Sequence, residues 1–256
     1  MRRTLLVIAL VAAFSFAAVP SSAATVGWWK PATGLTWQLQ YTGKLDTTVA
    51  AQVYDIDGAD ATMAQVTSLH QAGRKVICYV DAGSYEDWRT DAAAFPATVR
   101  GKALDGWAGE QWLDIRNWTA LRPILAARFT TCKDKGFDAV DPDNMDGYSN
   151  NSGFALAAAD QLKYNQRVAE LAHSMGLAVG LKNDLEQVAQ LQPYFDFAVN
   201  ESCMQWKECG MLRPFTKAGK PVFHVEYAAA RCPTPAALNF SSVRKNLKLD
   251  AFRAAC

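Results

Sequence analysis

From residue 37 onward the chain alternates short β-branched or aromatic runs with longer stretches of helical period, and few folds accommodate that rhythm. Strands are expected at 37–41, 52–57, 75–81, 137–140, 177–181, 195–200, 221–227 and 240–244. Helices are expected at about 61–71, 120–135 and 155–175. In the first, Met63, Val66 and Leu69 recur three apart before Gly73. The second carries Leu121, Ile124, Leu125, Phe129 and Cys132 at helical spacing, tolerates Pro123 in its first turn and stops at Gly136; the third stops at Gly176. Strands separated by helices run parallel through right-handed crossovers. Eight such units predict an α/β fold, a single-domain (β/α)8 TIM-type barrel, with an open doubly wound sheet as the alternative.

Ahead of this domain, Arg2 and Arg3 precede an apolar run from Leu5 to Val19, and the small residues Ser21, Ser22, Ala23 and Ala24 follow. This is the pattern of a secretory signal peptide. The expected division is therefore a leader at 1–24 and a barrel at 25–256. The run falls short of the roughly 20 apolar residues that span a bilayer, so the mature chain is expected to be secreted and free of the membrane. The arginine pair leaves twin-arginine export open. A formal charge of +1 gives no basic face for nucleic acid. Six cysteines in an exported chain favour disulfides. Cys203 with Cys209, Cys78 with Cys132 and Cys232 with Cys256 are the expected pairs; a zinc site lacks both CxxC spacing and a neighbouring histidine.

The informative regularity lies at the strand ends, where VYDID, CYVDAG, AVDPDN, GLKND, AVNES and FHVEY each run from apolar residues into an acid or amide. In a barrel those ends share the C-terminal rim, where such folds carry their active sites. Asp57, Asp81, Asp141, Asp143, Lys182, Asn183, Glu201 and Glu226 would then converge. An EF-hand reading of DPDNMDGY fails, because counting from Asp141 places Met145 at position five and Ser152 at position twelve. A D-x-D sugar transferase is disfavoured by export and by the lack of a glycine-rich phosphate cradle. No GxSxG or HExxH motif occurs, and His70, His173 and His224 read as helix-end or core histidines. Paired-carboxylate glycoside hydrolysis remains, needing no cofactor. Trp28, Trp29, Tyr85, Trp88, Trp107, Trp112, Trp118, Tyr148 and Trp206 gather in the same loops, as stacking platforms or as loop anchors.

CYVDAGSYEDWR, GFDAVDPDNMDGY, GLKND and AVNES, in that order, resemble glycoside hydrolase family 114, the endo-α-1,4-polygalactosaminidases. The resemblance implies a (β/α)8 barrel, no metal, and hydrolysis of galactosamine polymers by an acidic pair. Carried onto this chain, Asp143 becomes the nucleophile and Glu201 the acid/base, with Asp141 behind them or touching substrate. Asp57, Asp81, Tyr148, Lys182 and Asn183 are further candidates for sugar contacts. The expected partner is a galactosaminogalactan-like polysaccharide, cationic where deacetylated, cleaved by a monomer. A non-catalytic polysaccharide-binding protein on a degenerate barrel, and a glycosidase for another α-glycan, are the alternatives.

Overall fold

The computed structural model describes residues 27–227 and 238–256. The leader and Cys232 fall outside those residues. Twelve strands are described: β1 Trp37–Gln40, β2 Val53–Asp57, β3 Lys75–Asp81, β4 Ser84–Glu86, β5 Arg100–Ala103, β6 Glu110–Leu113, β7 Ala139–Asp143, β8 Ala178–Lys182, β9 Phe197–Glu201, β10 Val222–Glu226, β11 Ser241–Arg244 and β12 Ala254–Ala255. The helices are α1 Met63–Gln71, α2 Trp118–Lys135, α3 Ala158–Ser174, α4 Val188–Leu191, α5 Cys203–Trp206 and α6 Arg213–Lys217.

Eight parallel strands run in the order β1-β2-β3-β7-β8-β9-β10-β11, and β12 adds antiparallel to β11. These are the eight expected strands. The ends of the row meet: Trp37 Nε1 donates to Ser241 O at 2.7 Å, Arg253 Nε donates to Trp37 O at 2.7 Å, and Tyr41 N donates to Leu249 O at 2.8 Å. The C-terminal segment thus laces the first strand to the last, giving the TIM-type fold.

Local signals set the main helices. Thr62 caps α1 in a reciprocal box with Gln65. Asn117 caps α2, and Gly136 ends it in the left-handed region at φ +91°, where a side chain would be strained. Asp160 Oδ2 accepts the Ala157 backbone N–H at 2.9 Å and helps start α3, three residues later than the periodicity suggested. Two departures from an ideal barrel stand out. No helix joins β1 to β2, and β4, β6 and β5 form a separate antiparallel sheet between β3 and α2. Its strands are three or four residues long and interrupted by Pro96, Gly106 and Gly109, too short for periodicity to register.

Strand parity sorts side chains into two cores. Trp37, Leu39, Val53, Ile77, Ala139, Phe197, Val199, Phe223 and Val225 pack together inside the ring. Tyr54, Ile56, Val76, Cys78, Val140, Val179, Leu181 and Val222 face outward with Val66, Leu69, Leu125, Phe129 and Val168 of the helices. Gly180 on β8 is needed here, because a Cβ would lie 2.4 Å from the Phe197 ring that fills the interior. The same parity decides which rim residues face the ring's opening.

Cys78 on β3 bonds to Cys132 on α2, and Cys203 bonds to Cys209, as expected. Cys256 is also disulfide-bonded. The Cys78–Cys132 bridge spans 54 residues, against 6 for Cys203–Cys209. Loop-closure entropy makes the longer bridge worth about 4 kcal/mol and the shorter appreciably less. Replacing Cys78 and Cys132 together by alanine should lower the melting temperature more than the Cys203/Cys209 double replacement, as read by calorimetry.

Candidate active site

The interior positions at the C-terminal strand ends are Asp57, Asp81, Asp143, Lys182 and Glu201, with Asp55, Tyr79 and Asp141 two residues further back. They open into a cleft of about 940 Å³ lined by Tyr41, Tyr79, Asp143, Lys182, Asn183, Glu201 and Tyr227 among others. At its base the Lys182 ammonium, on a side chain only 2% exposed, faces Asp143 Oδ1 at 3.3 Å, Asp141 Oδ2 at 3.5 Å and Glu201 Oε2 at 3.8 Å. Burial alone would push this ammonium down, but the three carboxylates together hold it well above the ordinary lysine range. It is a fixed cation under three acids.

Each acid has its own holder. Tyr79 donates to Asp143 Oδ2 at 2.9 Å, and the Asn144 backbone N–H reaches Asp143 Oδ1 at 2.8 Å. Tyr227 donates a short hydrogen bond to Glu201 Oε1, while Asn183 Nδ2 reaches Oε2 at 3.3 Å. Asn183 also accepts the Glu201 backbone N–H at 3.0 Å, so one amide sets both ends of that residue. Tyr41 donates to Asp141 Oδ2 at 3.2 Å. Burial, reinforced by the neighbouring carboxylates, pushes the Tyr79, Tyr41 and Tyr227 phenols well up, so all three stay protonated donors.

Exposure separates the acids. Asp143 and Glu201 keep 20% and 28% of their side-chain surface open, whereas Asp141 keeps none. Burial raises the Asp141 carboxyl to about 6. Asp55 lies wholly buried, and burial together with Asp141 pushes its carboxyl well above the usual carboxylate range.

The other sequence candidates divide. Asn183 lines the cleft, though its amide groups are engaged with Glu201. Asp57 lines it too, but Arg89 grips its carboxylate at 2.7 and 3.1 Å while the Ala59 and Asp60 N–H groups share Oδ1. Asp81 is buried and accepts from Ser84 N at 2.7 Å, Ser84 Oγ and Asn144 Nδ2 at 2.8 Å; it anchors the loop bearing Asn144. Tyr148 donates to Glu186 at 2.9 Å and is not among the residues lining the cleft. Glu226 corrects the strand-end expectation: it sits at even parity, accepts the Met204 N–H at 2.8 Å and pairs with His224 at 2.9 Å in the outer layer. Tyr227 takes the interior position instead. Tyr41, Tyr79 and Tyr227 were absent from the sequence candidates, although Tyr79 precedes Asp81 by two, the spacing that shares a strand face.

Beside the pair, Asp184 is 3% exposed and carries its carboxyl near Asp146. Burial first, then Asp146, raises Asp184 to about 8, while Asn165 Nδ2 donates to its Oδ2 at 2.8 Å. A raised folded value means native protein binds this proton more tightly than unfolded chain, so stability contributed below about pH 4 is lost as pH climbs to 8. Asp184→Asn keeps the shape, tolerates the left-handed backbone at φ +46° and cannot ionise. Its melting temperature relative to wild type should therefore rise steadily from pH 4 to 8, by on the order of ten degrees; a flat difference would contradict the assignment.

An eight-stranded parallel ring with two partly open carboxylates from separate strands facing one cleft is the architecture of a glycoside hydrolase. A model of Glycoside-hydrolase family GH114 matches residues 18–256, and the chain belongs to that family. The crystal structure of Aspergillus fumigatus Ega3 in complex with galactosamine superposes with a TM-score of 0.86 and 38% identity, over 90% of this chain and 98% of that one. The glycoside hydrolase domain of PelA from Pseudomonas aeruginosa shares the fold at a TM-score of 0.68 and 14% identity, over 86% of this chain and 98% of that domain. An uncharacterized protein of Deinococcus radiodurans is 26% identical over 204 residues, 70% of this chain; the match spans 64% of the Deinococcus protein's length.

Proposed function

We propose that the protein is an exported glycoside hydrolase that cleaves internal α-1,4 bonds of galactosamine-containing polysaccharide with retention of configuration. The observation that carries this reading is the meeting of Asp143 from β7 and Glu201 from β9 on the single Lys182 ammonium at the floor of the cleft. Two oxygens 3.3 and 3.8 Å from one nitrogen lie within about 7 Å of each other, close enough to flank one glycosidic bond. The galactosamine seen with Ega3 supports the choice of sugar.

Asp143 serves as nucleophile in this reading, and its exposure favours it over Asp141, which the cleft does not reach. Asp143 forms a bond to the anomeric carbon as Glu201 gives its proton to the departing glycosidic oxygen. Glu201 then takes a proton from water, and the resulting hydroxide equivalent displaces Asp143. Tyr79 and Asn144 orient the nucleophile; Tyr227 and Asn183 orient the acid/base. The chemistry requires no cofactor.

Assay of defined α-1,4-galactosamine oligomers tests the proposal. Asp143→Asn and Glu201→Gln should each lower kcat by about 10²–10⁴, and proton NMR of fresh product should show the α anomer first. Undiminished activity in either variant removes that residue's role, and an initial β product replaces retention by inversion.

A further inference from the structure

Of the aromatic residues the sequence brings forward, most are absorbed by packing. Trp112 is buried, Trp118 meets Tyr164 edge-on, and Trp28 stacks on His173. Trp88 and Trp107 are different: both line the cleft, yet their surfaces are 54% and 52% exposed, so neither ring earns its place in a core. They stand on the β4–β6 excursion, which the barrel does not need for closure.

The excursion holds them in place. The 104–110 turn between β5 and β6 is knitted by Trp107 N to Leu104 O at 3.2 Å and Glu110 N to Trp107 O at 3.2 Å, and Asp87 N donates across to Gly109 O at 3.1 Å. Gly109 has φ +91°, and a Cβ there would lie 2.9 Å from Trp88 Cζ3. The Trp88 ring therefore leans on bare backbone, which fixes one side of it. Asp60 and Asp105 add carboxylates to the lining of the same cleft.

We propose that Trp88 and Trp107 form a distal subsite that stacks an amino-sugar ring of the same polymer chain, away from the bond being cut. The cleft is continuous from Asp143 and Glu201 to these rings, and its volume of about 940 Å³ lies at the upper end of the ~300–1,000 Å³ usual for ligand pockets. Indole faces attract ammonium groups, and the carboxylates lining the cleft favour a cationic chain within it. The subsite makes the enzyme measure chain length. This inference rests on the proposed hydrolase function.

The test is kcat/KM of wild type, Trp88→Ala, Trp107→Ala and Trp107→Phe on galactosamine oligomers from three to ten sugars, with melting curves to verify folding. Both rings being half exposed, the alanine variants should melt with wild type. Wild type should gain efficiency with length. Each alanine variant should lose roughly three- to thirtyfold on the longest chains and much less on the shortest, with Trp107→Phe retaining part of the gain. Equal loss at every length, or no loss at any, would overturn the subsite while leaving hydrolysis in place. A wild type that leaves every oligomer intact would instead sink the function beneath it.

Discussion

The Lys182 ammonium, buried at the end of β8 with Asp141, Asp143 and Glu201 around it, is the interaction on which the rest of the site depends. Three acids pointed into one barrel mouth would repel each other and resist burial; one fixed cation offsets that repulsion. The remaining acids are handled separately. Asp57 is gripped by Arg89, Asp55 is pushed well up by its own burial, and Asp81 is enclosed by Ser84 and Asn144. Only Asp143 and Glu201 of the Lys182 cluster stay open to the cleft, so the cluster is acidic in composition but selective in what it presents.

Barrel geometry turns this local arrangement into a site. Odd-numbered positions of β2, β3, β7 and β9 face the ring, and even-numbered positions of β8 do, because Gly180 and Lys182 share the inner face. The low interior positions hold Val53, Ile77, Ala139 and Val199, and the rim positions above them hold the charged groups. A single strand register therefore places an apolar plug below and chemistry above. A one-residue slip in any of these strands would turn its charged rim residue away from the cleft.

The same parity explains what could be read from sequence and what could not. The eight strands, the three long helices and two disulfides were legible, because each rests on a local signal: apolar runs, helical spacing with a glycine stop, or an even cysteine count behind a leader-like N-terminus. Asp143, Lys182 and Glu201 were legible as strand-end residues. Glu226 was misplaced because ending a strand in an acid does not say which face the acid occupies; on β10 the odd positions Phe223 and Val225 face inward, so Glu226 shares the outer face with His224. The tyrosines that hold the pair were missed for the complementary reason. Tyr79 looked like an ordinary strand aromatic, and only counting back two from Asp81 marks it as facing inward. The β4–β6 excursion escaped because its pairing is set by contacts between short segments, not by any one segment's periodicity.

The most direct test of the central claim is the pH profile of kcat/KM on a galactosamine oligomer for Lys182→Met, which keeps the side chain's length and removes its charge. If one ammonium holds the pair together, efficiency should fall at least about a hundredfold and the acidic limb should move to higher pH, because acids deprived of a nearby cation keep their protons longer. A folded variant with wild-type efficiency and an unmoved acidic limb would contradict the account.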